Sequence, residues 1–340
     1  MKRWLLFLAV LMLIPASAGA WAEPSPQDRS SALELALKAI VGPRKVGIAV
    51  LPVGDTAQVM TALGVNGDDQ YSVASAFKGP VAIYFFENTD SSVWGHLPVA
   101  YWNVDKEAKV PDEFLPVWEQ FHVILKAVYQ MAVYSENDST GNVLAYVYRT
   151  IGSSASSPIV AFNEWSHGTV GIGDKSGMEA WFAGGSSCLR GCTDSRFGQG
   201  TIIYRGKIVL LGNSYSPRDL ATFYVHLATR GRELGYYDVA MELLSVRKEY
   251  PSLTKTYGGE VGIQVASKDG FVGPYSEGSN GFYVSTDAGL FTLADGEQYA
   301  VAFMALDAGD ILHRAIRETS ITLVKNANLP ATPSATVTQP

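Results

Sequence analysis

The sequence predicts an α+β fold in which an antiparallel sheet is flanked by helices. Helical periodicity fills most of the middle of the chain. Strand-like apolar runs occur near both ends, at 45–55, 262–270, 285–293 and 298–306. We expect these terminal strands to form one sheet, because packed layers of sheet and helix are the stable way to bury both kinds of apolar face.

The helices and the remaining strands are predicted from periodicity, turn residues and caps. Ser216 followed by Pro217 and an acid at Asp219 indicates a helix start, with the helix running to about Gly231. A hairpin is expected at 201–213. Other predicted helices span 31–41, a mostly helical region from Ser75 to about Gly152 that includes 113–134, then 236–248 and 309–325.

The length and composition fit one large domain. The chain has 340 residues, of which 47% are hydrophobic and 17% are charged, so it can bury a sizeable core. We assign residues 23–325 to this domain, with 164–212 as a central loop insertion rich in glycine and serine. Residues 326–340 are rich in proline and threonine and are expected to be a disordered tail.

Residues 1–22 have the features of a secretory signal peptide. Lys2 and Arg3 are followed by an apolar run and then by small residues, with cleavage expected after Ala20 or Ala22. The alternative is an uncleaved membrane anchor, although the apolar run is short for a transmembrane span. The sequence therefore predicts a secreted or extracytoplasmic protein, in the periplasm or at the cell surface.

Charge and metal-ligand content argue against several classes of function. The formal net charge is −7 and no basic run is present, so nucleic acid and anionic lipid are poor candidates as partners. The five histidines have no metal-binding spacing and two cysteines make a poor zinc site, so we expect no metal and no other cofactor. Cys188 and Cys192 could close a small disulfide loop in an oxidising compartment.

Ser75 and Lys78 form the most informative motif in the chain. They are three residues apart at the predicted start of a helix. At this spacing both side chains lie on one face about one turn apart, so the lysine amine can take the proton of the serine hydroxyl. The helix N-terminus stabilises negative charge beside the serine. Ser75 is therefore a candidate nucleophile, and the alternative is an ordinary N-cap serine.

Two further motifs follow in chain order. The tripeptide SEN at 135–137 lies in a turn after the long apolar helix, and KDG at 268–270 lies on a predicted strand followed by two more. The ordered set resembles the penicillin-recognising serine enzymes, most closely the class A β-lactamase-like serine hydrolases. The resemblance covers residues 33–322. It implies a β-lactamase/DD-peptidase-like antiparallel sheet flanked by helices, with an all-helical subdomain.

The resemblance implies a role in catalysis or substrate binding for four residues of the first two motifs. Ser75 would attack a carbonyl to give an acyl-enzyme, with Lys78 as the base or proton relay. Ser135 would pass a proton towards the leaving nitrogen. Asn137 would bind Lys78 and an amide carbonyl of the substrate.

The resemblance also implies a substrate-binding strand. Lys268 would hold a substrate carboxylate and lower the pKa values of neighbouring groups. Gly270 completes the lysine-x-glycine motif, and the backbone N–H groups of Ser75 and Phe271 would form the oxyanion hole. The implied substrate is a small molecule or a peptidoglycan-type compound: a β-lactam, a cell-wall peptide or a related amide or ester.

The sequence departs from the family pattern at two places. The family has a hydroxyl residue between the lysine and the glycine, whereas this chain has Asp269, which would repel a substrate carboxylate or pair with Lys268. Efficient class A β-lactamases also carry a central-loop glutamate that activates the deacylating water. Glu164 and Glu179 lie in this region, but neither is in the familiar motif. An acyl-enzyme without such a base would turn over slowly.

Each motif also has an ordinary structural interpretation. Residues 135–137 could be a capping turn, and 268–270 could be a surface turn between strands. Trp94, Tyr101 and Trp102 could be core residues or could line a cleft. For the whole chain, the alternatives are a catalytically idle relative that binds a ligand or partner in the same cleft, or a structural exported domain. The sequence gives no indication of the oligomeric state.

Overall fold

The structure is a computed structural model that describes residues 23–54, 59–95, 112, 115–181, 193–204, 207–246, 252–273 and 282–328, with only the backbone described at Val117 and in the hairpin 198–211. Several predictions fall outside these residues, namely the signal peptide 1–22, Tyr101, Trp102, Cys188, Cys192 and most of the tail 326–340. Among the described residues, no helix is long and apolar enough to cross a membrane.

Nine strands lie in the described residues, and five of them form the central sheet. In chain order they are β1 (Val46–Pro52), β2 (Leu63–Val65), β3 (Tyr71–Ser72), β4 (Gly198–Tyr204), β5 (Lys207–Gly212), β6 (Ser214–Tyr215), β7 (Gln264–Val272), β8 (Val284–Thr292) and β9 (Gln298–Leu306). The central sheet has the order β2-β1-β9-β8-β7 with antiparallel pairing throughout. The predicted pairing of strands from the two ends of the chain is therefore confirmed.

Helices occupy most of the remaining described chain. They are α1 (Pro26–Val41), α2 (Lys78–Glu87), α3 (Ser91–Trp94), α4 (Leu115–Tyr134), α5 (Asn137–Thr150), α6 (Pro158–Trp165), α7 (Pro217–Leu234), α8 (Tyr237–Ser245), α9 (Leu253–Glu260) and α10 (Gly309–Ala327). A 3₁₀ turn at Ala74–Phe77 precedes α2, and a π-helical turn at Ser166–Val170 follows α6. Helices and an antiparallel sheet together give the predicted α+β class.

The sheet separates two apolar layers. Along β1, Ile48 and Val50 face a layer built with α1 and α10, whereas Ala49 faces the layer that contains α2, α4, α5 and α7. The alternation follows from the two-residue period of a strand. The second layer contains the all-helical part of the molecule, with Trp94 buried in it as a core residue.

Most predicted boundaries lie within a few residues of the observed ones, and the differences have local causes. The Ser216 hydroxyl caps α7 as predicted, but the helix continues past Gly231 and ends at Gly235, which adopts the left-handed backbone of a helix terminator. α10 reaches Ala327, so the first two residues of the predicted tail are helical. The α-helix predicted to begin at Ser75 begins at Lys78.

Candidate active site

Lys78 is a fully buried lysine at the first position of α2. Its Nζ atom donates hydrogen bonds to the carbonyl oxygen of Ser135 and to Oδ1 of Asn137, each at 2.6 Å. The Oγ atom of Ser135 lies 3.3 Å from the same nitrogen. A buried ammonium is tolerated only where acceptors replace its water, and these three oxygens do so. The fold therefore brings the first and second sequence motifs together.

The turn between α4 and α5 positions Ser135 and Asn137. Ser135 has a left-handed backbone, with φ at 61°, which costs a non-glycine residue about 1 kcal/mol. Glu136 is the N-cap of α5, and its carboxylate accepts from the backbone N–H groups of Asp138 and Ser139. Capping is therefore the role of Glu136, which leaves the side chains of its two neighbours directed at the buried lysine.

Ser75 lies in the 3₁₀ turn Ala74–Phe77 and is partly buried. The N-cap positions of this turn and of α2 are Val73 and Phe77, so Ser75 occupies neither. Ala74 has a left-handed backbone with φ at 48°. The turn thus presents Ser75 immediately before the helix, three residues ahead of the buried lysine, and the N-cap alternative does not apply.

Gly270 brings β7 against the turn that carries Ser75. A Cβ atom at Gly270 would lie 2.5 Å from the backbone nitrogens of both Ser75 and Ala76, a distance that real Cβ atoms essentially never show. Only glycine fits this approach. β7 is the last strand of the sheet order, so its outer edge is available to face the turn.

Lys268 lies inside β7 and is almost fully buried, so residues 268–270 are not a surface turn. A Cβ atom at Gly79 would be 3.2 Å from Cβ of Lys268, which places this lysine against the first turn of α2. Its Nζ atom donates to the carbonyl oxygen of Asp269 at 2.7 Å and to Oδ1 of Asp269 at 3.0 Å. The aspartate that departs from the family pattern is therefore paired with the lysine of the same motif.

Phe271 follows Gly270 on β7 and is 62% exposed. The ring lies 5.8 Å, centroid to centroid, from that of Tyr283, which is also exposed. The pair forms an aromatic surface beside the end of the strand that faces Ser75. The backbone N–H of Phe271 lies on the same edge strand as Gly270, and its role as an oxyanion donor stays a prediction.

Trp181 is a site residue that the sequence analysis missed. Its ring lies 4.9 Å from that of Phe77, and the Nζ atom of Lys78 is 5.4 Å from its centroid. Its Nε1–H donates to the carbonyl oxygen of Asn137 at 3.3 Å. The indole therefore forms one wall of the site and contacts both Lys78 and the backbone of Asn137.

Among the described hydrogen bonds, the two glutamates of the central loop make none with this cluster. Glu164 is exposed on α6, and a carboxylate oxygen of Glu179 lies 3.5 Å from the Cβ position of Gly212 on β5. The side chain of Asn163 on α6 holds the loop segment at Met178 in place through two hydrogen bonds to the Met178 backbone. The loop is thus anchored by an amide, and its two glutamates contact neither Lys78 nor Ser135 among the described hydrogen bonds.

Glu136 adds negative charge next to the buried lysine. Burial opposes its ionisation, but hydrogen bonds from Ser139 and Asp138 and the charge of Lys78 outweigh burial and lower its pKa. The carboxylate is therefore ionised at neutral pH and helps to balance the ammonium. Within the described ranges, no three histidine, cysteine or acidic residues are arranged to hold a metal ion.

Comparisons with known proteins identify the fold. No family model matches the sequence, and no curated protein matches it. Among solved structures, the TLA-1 extended-spectrum β-lactamase is 17% identical over 88% of this chain and 99% of its own, with a TM-score of 0.53. PBP-A is 17% identical over 88% of this chain and 98% of its own, with a TM-score of 0.54.

A class A β-lactamase from Bacteroides cellulosilyticus gives the same picture. It is 17% identical over 88% of this chain and 98% of its own, with a TM-score of 0.55. The chain therefore has the β-lactamase-like fold shared by the class A β-lactamases and PBP-A. Identities this low establish the fold, and the activity has to be argued from the site.

Proposed function

We propose that this protein is a serine hydrolase that forms an acyl-enzyme on Ser75. The observation that carries the proposal is the buried Lys78 ammonium, held by Ser135 and Asn137 three residues after Ser75. A fully buried lysine is an expensive way to hold two helices together, whereas a lysine beside a serine is a recurrent way to activate a nucleophile.

The proposed reaction assigns one step to each group. Oγ of Ser75 attacks the substrate carbonyl carbon, and Lys78 in its neutral form receives the hydroxyl proton. Ser135, within hydrogen-bond distance of Lys78, gives its hydroxyl proton to the leaving nitrogen as the C–N bond breaks and regains a proton from Lys78, which returns to its neutral form. Asn137 binds a substrate carbonyl, and the backbone N–H groups of Ser75 and Phe271 stabilise the oxyanion.

We further propose that the acyl-enzyme hydrolyses slowly. Among the described hydrogen bonds, Glu136 is used to cap α5, and neither Glu164 nor Glu179 reaches Lys78 or Ser135. The face of Lys78 towards the central loop is occupied by the indole of Trp181. A water on that face would lack a positioned base, so the protein would behave as a penicillin-binding protein more than as an efficient β-lactamase.

The proposed substrate is a β-lactam, a cell-wall peptide or a related amide or ester. Two of the similar solved structures are β-lactamases, and a mutant of PBP-A forms an acyl-enzyme complex with penicillin G. The features of residues 1–22 support export, which would place the protein where cell-wall peptides occur.

Covalent labelling tests the proposal directly. The native protein, Ser75→Ala and the control Ser92→Ala, an exposed serine on α3, are incubated with a fluorescent penicillin and with an uncharged phosphonate probe, and intact mass is recorded over time. We expect one adduct with at least one probe on native protein and on Ser92→Ala, none on Ser75→Ala, and an adduct lifetime of minutes or longer. An adduct that persists in Ser75→Ala would contradict the assignment of the nucleophile.

The second candidate is a catalytically idle relative that binds a ligand or partner through the same cleft. The observation that favours it is the ion pair between Lys268 and Asp269, because a paired Lys268 ammonium is less able to bind a substrate carboxylate. The labelling experiment separates the two functions. No Ser75-dependent adduct with either the penicillin or the phosphonate would favour the binding function.

A further inference from the structure

The end of β7 next to Ser75 has an unusual charge arrangement. The side chain of Lys268 is 2% exposed and that of Asp269 is 38% exposed, and they form an ion pair at 3.0 Å. The same ammonium also donates to the backbone carbonyl of Asp269. The acid is therefore the more accessible member of the pair to a ligand that approaches this end of β7 from solvent.

A second acid lies directly across the strand pair. Asp287 on β8 is in register with Asp269 and is fully buried. It accepts hydrogen bonds from the backbone N–H of Thr254 at 2.9 Å and from the Thr254 hydroxyl at 2.8 Å. Burial and the charge of Asp269 both raise its pKa. The two acids are thus close enough to interact electrostatically.

The two described lysines in this region already have hydrogen-bond acceptors within the protein. Lys255 on α9 donates from its Nζ atom to the carbonyl oxygen of Val246 at 2.9 Å. Lys268 donates to the carboxylate and to the carbonyl oxygen of Asp269. A carboxylate placed beside Asp269 would gain little from this set and would meet a like charge at the exposed position.

We propose that this subsite selects a substrate group that donates hydrogen bonds, such as an amide, a hydroxyl or an ammonium, in place of a carboxylate. The inference rests on the proposed function, since it concerns the group next to the bond attacked by Ser75. An ionised carboxylate offers only acceptor oxygens, so its natural complement is an N–H or O–H donor. Asp269 is the residue that determines this specificity.

The inference predicts an order of affinity for three ligands that differ only at one group. The ligands are a penicillin with its carboxylate, its primary amide and its methyl ester. The amide offers donors, the ester is uncharged without donors, and the acid is an anion. We expect the amide to bind at least about tenfold more tightly than the acid, with the ester between them.

Equilibrium binding to the Ser75→Ala protein measures this order without acylation. Calorimetric titrations are repeated with Asp269→Ser and Asp269→Asn in the same background, and with Asp310→Asn on the far side of the sheet as the matched control. Both Asp269 variants are expected to lose the preference for the amide, and Asp269→Ser to bind the acid more tightly than the amide. Asp310→Asn is expected to keep the native order.

The outcomes separate this inference from the proposed chemistry. Preference for the acid in the Asp269 protein, equal affinities, or no binding by any of the three ligands would overturn the inference. An amide preference that vanishes in both Asp269 variants would support it, even where no adduct forms on Ser75. Serine-dependent labelling together with preference for the acid would support the proposed function and reject the inference alone.

Discussion

At Lys78 the chain places an ammonium where water does not reach. Transfer of a charged amine out of water costs several kcal/mol unless hydrogen-bond acceptors replace the solvent. The carbonyl of Ser135 is one of the replacements, and it is aimed at the lysine by a left-handed backbone that itself costs about 1 kcal/mol. The buried ammonium of Lys78 and the left-handed backbone of Ser135 both cost free energy. Two such costs in one cluster indicate that it has a function besides stabilising the fold.

Replacing Lys78 with methionine tests this interpretation. The substitution keeps an unbranched side chain that is one atom shorter and removes the amine, so we expect the rate of Ser75 labelling to fall at least about 100-fold. The melting temperature should change little, because the lost hydrogen bonds are offset by relief of the buried charge. Lys126→Met, at an exposed lysine on α4, is the control and should label at the native rate. Native labelling kinetics in Lys78→Met would show that Lys78 is not the base.

At the scale of residues, residue types and spacing were enough to predict Ser75, Lys78, Ser135 and Asn137 as candidate site residues, because the residues of each motif are close together in the sequence. They could not reveal that Trp181 contacts Lys78, since that contact depends on how the central loop folds back over α2. The sequence also left the capping role of residues 135–137 open. The structure assigns the cap to Glu136, whose carboxylate accepts hydrogen bonds from the first turn of α5.

At the scale of elements, the approach of β7 to the 3₁₀ turn depends on Gly270. Gly270→Ala would place a methyl group 2.5 Å from two backbone nitrogens of the turn, so the strand or the turn must move. We expect a loss of about 1–3 kcal/mol in the free energy of unfolding and a large fall in the rate of Ser75 labelling. Gly168→Ala is the control, because nothing lies within 4 Å of its Cβ position.

The two measurements on Gly270→Ala have to change together. Denaturant unfolding reports the stability, and time-resolved intact mass reports the labelling. If the variant unfolds like the native protein and labels at the native rate, the contact between β7 and the turn is not what positions Ser75.

A buried polar network joins β7, β8 and α9 behind the site. The Thr254 hydroxyl donates to Asp287 and lies within hydrogen-bond distance of the Ser267 hydroxyl. Burial, followed by the charge of Asp269, raises the pKa of Asp287 from 3.8 to about 7, against the opposing effects of the Thr254 hydrogen bonds and Lys255. The folded protein therefore binds this proton more tightly than the unfolded chain does.

The raised pKa of Asp287 predicts a specific pH dependence of stability. The contribution of Asp287 to the free energy of unfolding is fully present below about pH 4, where the carboxyl group is protonated in both states. It is lost as the pH rises from there towards 7, and the total loss is about 4 kcal/mol. Asp287→Asn cannot ionise, so its stability relative to the native protein should rise over the same interval. Denaturant unfolding of both proteins at pH 4.5, 6 and 8 measures the difference. A constant difference across the three pH values would contradict the shift.

Element prediction succeeded where periodicity was strong and failed where it was weak. The boundaries of the long α4 and of the strands β7, β8 and β9 were predicted to within about two residues. Each of these elements has a long apolar sequence pattern, which is the strongest signal of secondary structure. α9 was missed, since its sequence LTKTYGGE contains two glycines and two threonines, which are poor helix formers. Its formation depends on Ser252 capping and on packing against β7.

At the scale of the whole molecule, the sheet divides the protein into a layer that carries the site and a layer that does not. The candidate site lies between the sheet edge at β7 and the helical part that contains α2, α4 and α5. α10 and α1 cover the opposite face of the sheet and contact each other. The sequence could predict this architecture because strands from the two ends of the chain can form one sheet only if the helices between them pack on its faces.

This division predicts that substitutions which destabilise the two layers equally have different effects on the rate of Ser75 labelling. Met131 on α4 and Leu323 on α10 are both fully buried and of similar volume, so alanine at either position should cost about 2–5 kcal/mol. Met131 lies one turn before Ser135 and belongs to the layer that contains α2, whereas Leu323 belongs to the layer with α1. We expect Met131→Ala to slow Ser75 labelling several-fold and Leu323→Ala to label at the native rate, at a temperature where both remain folded. Equal slowing in the two variants would mean that the site responds to global stability and that the outer layer is coupled to it through the sheet.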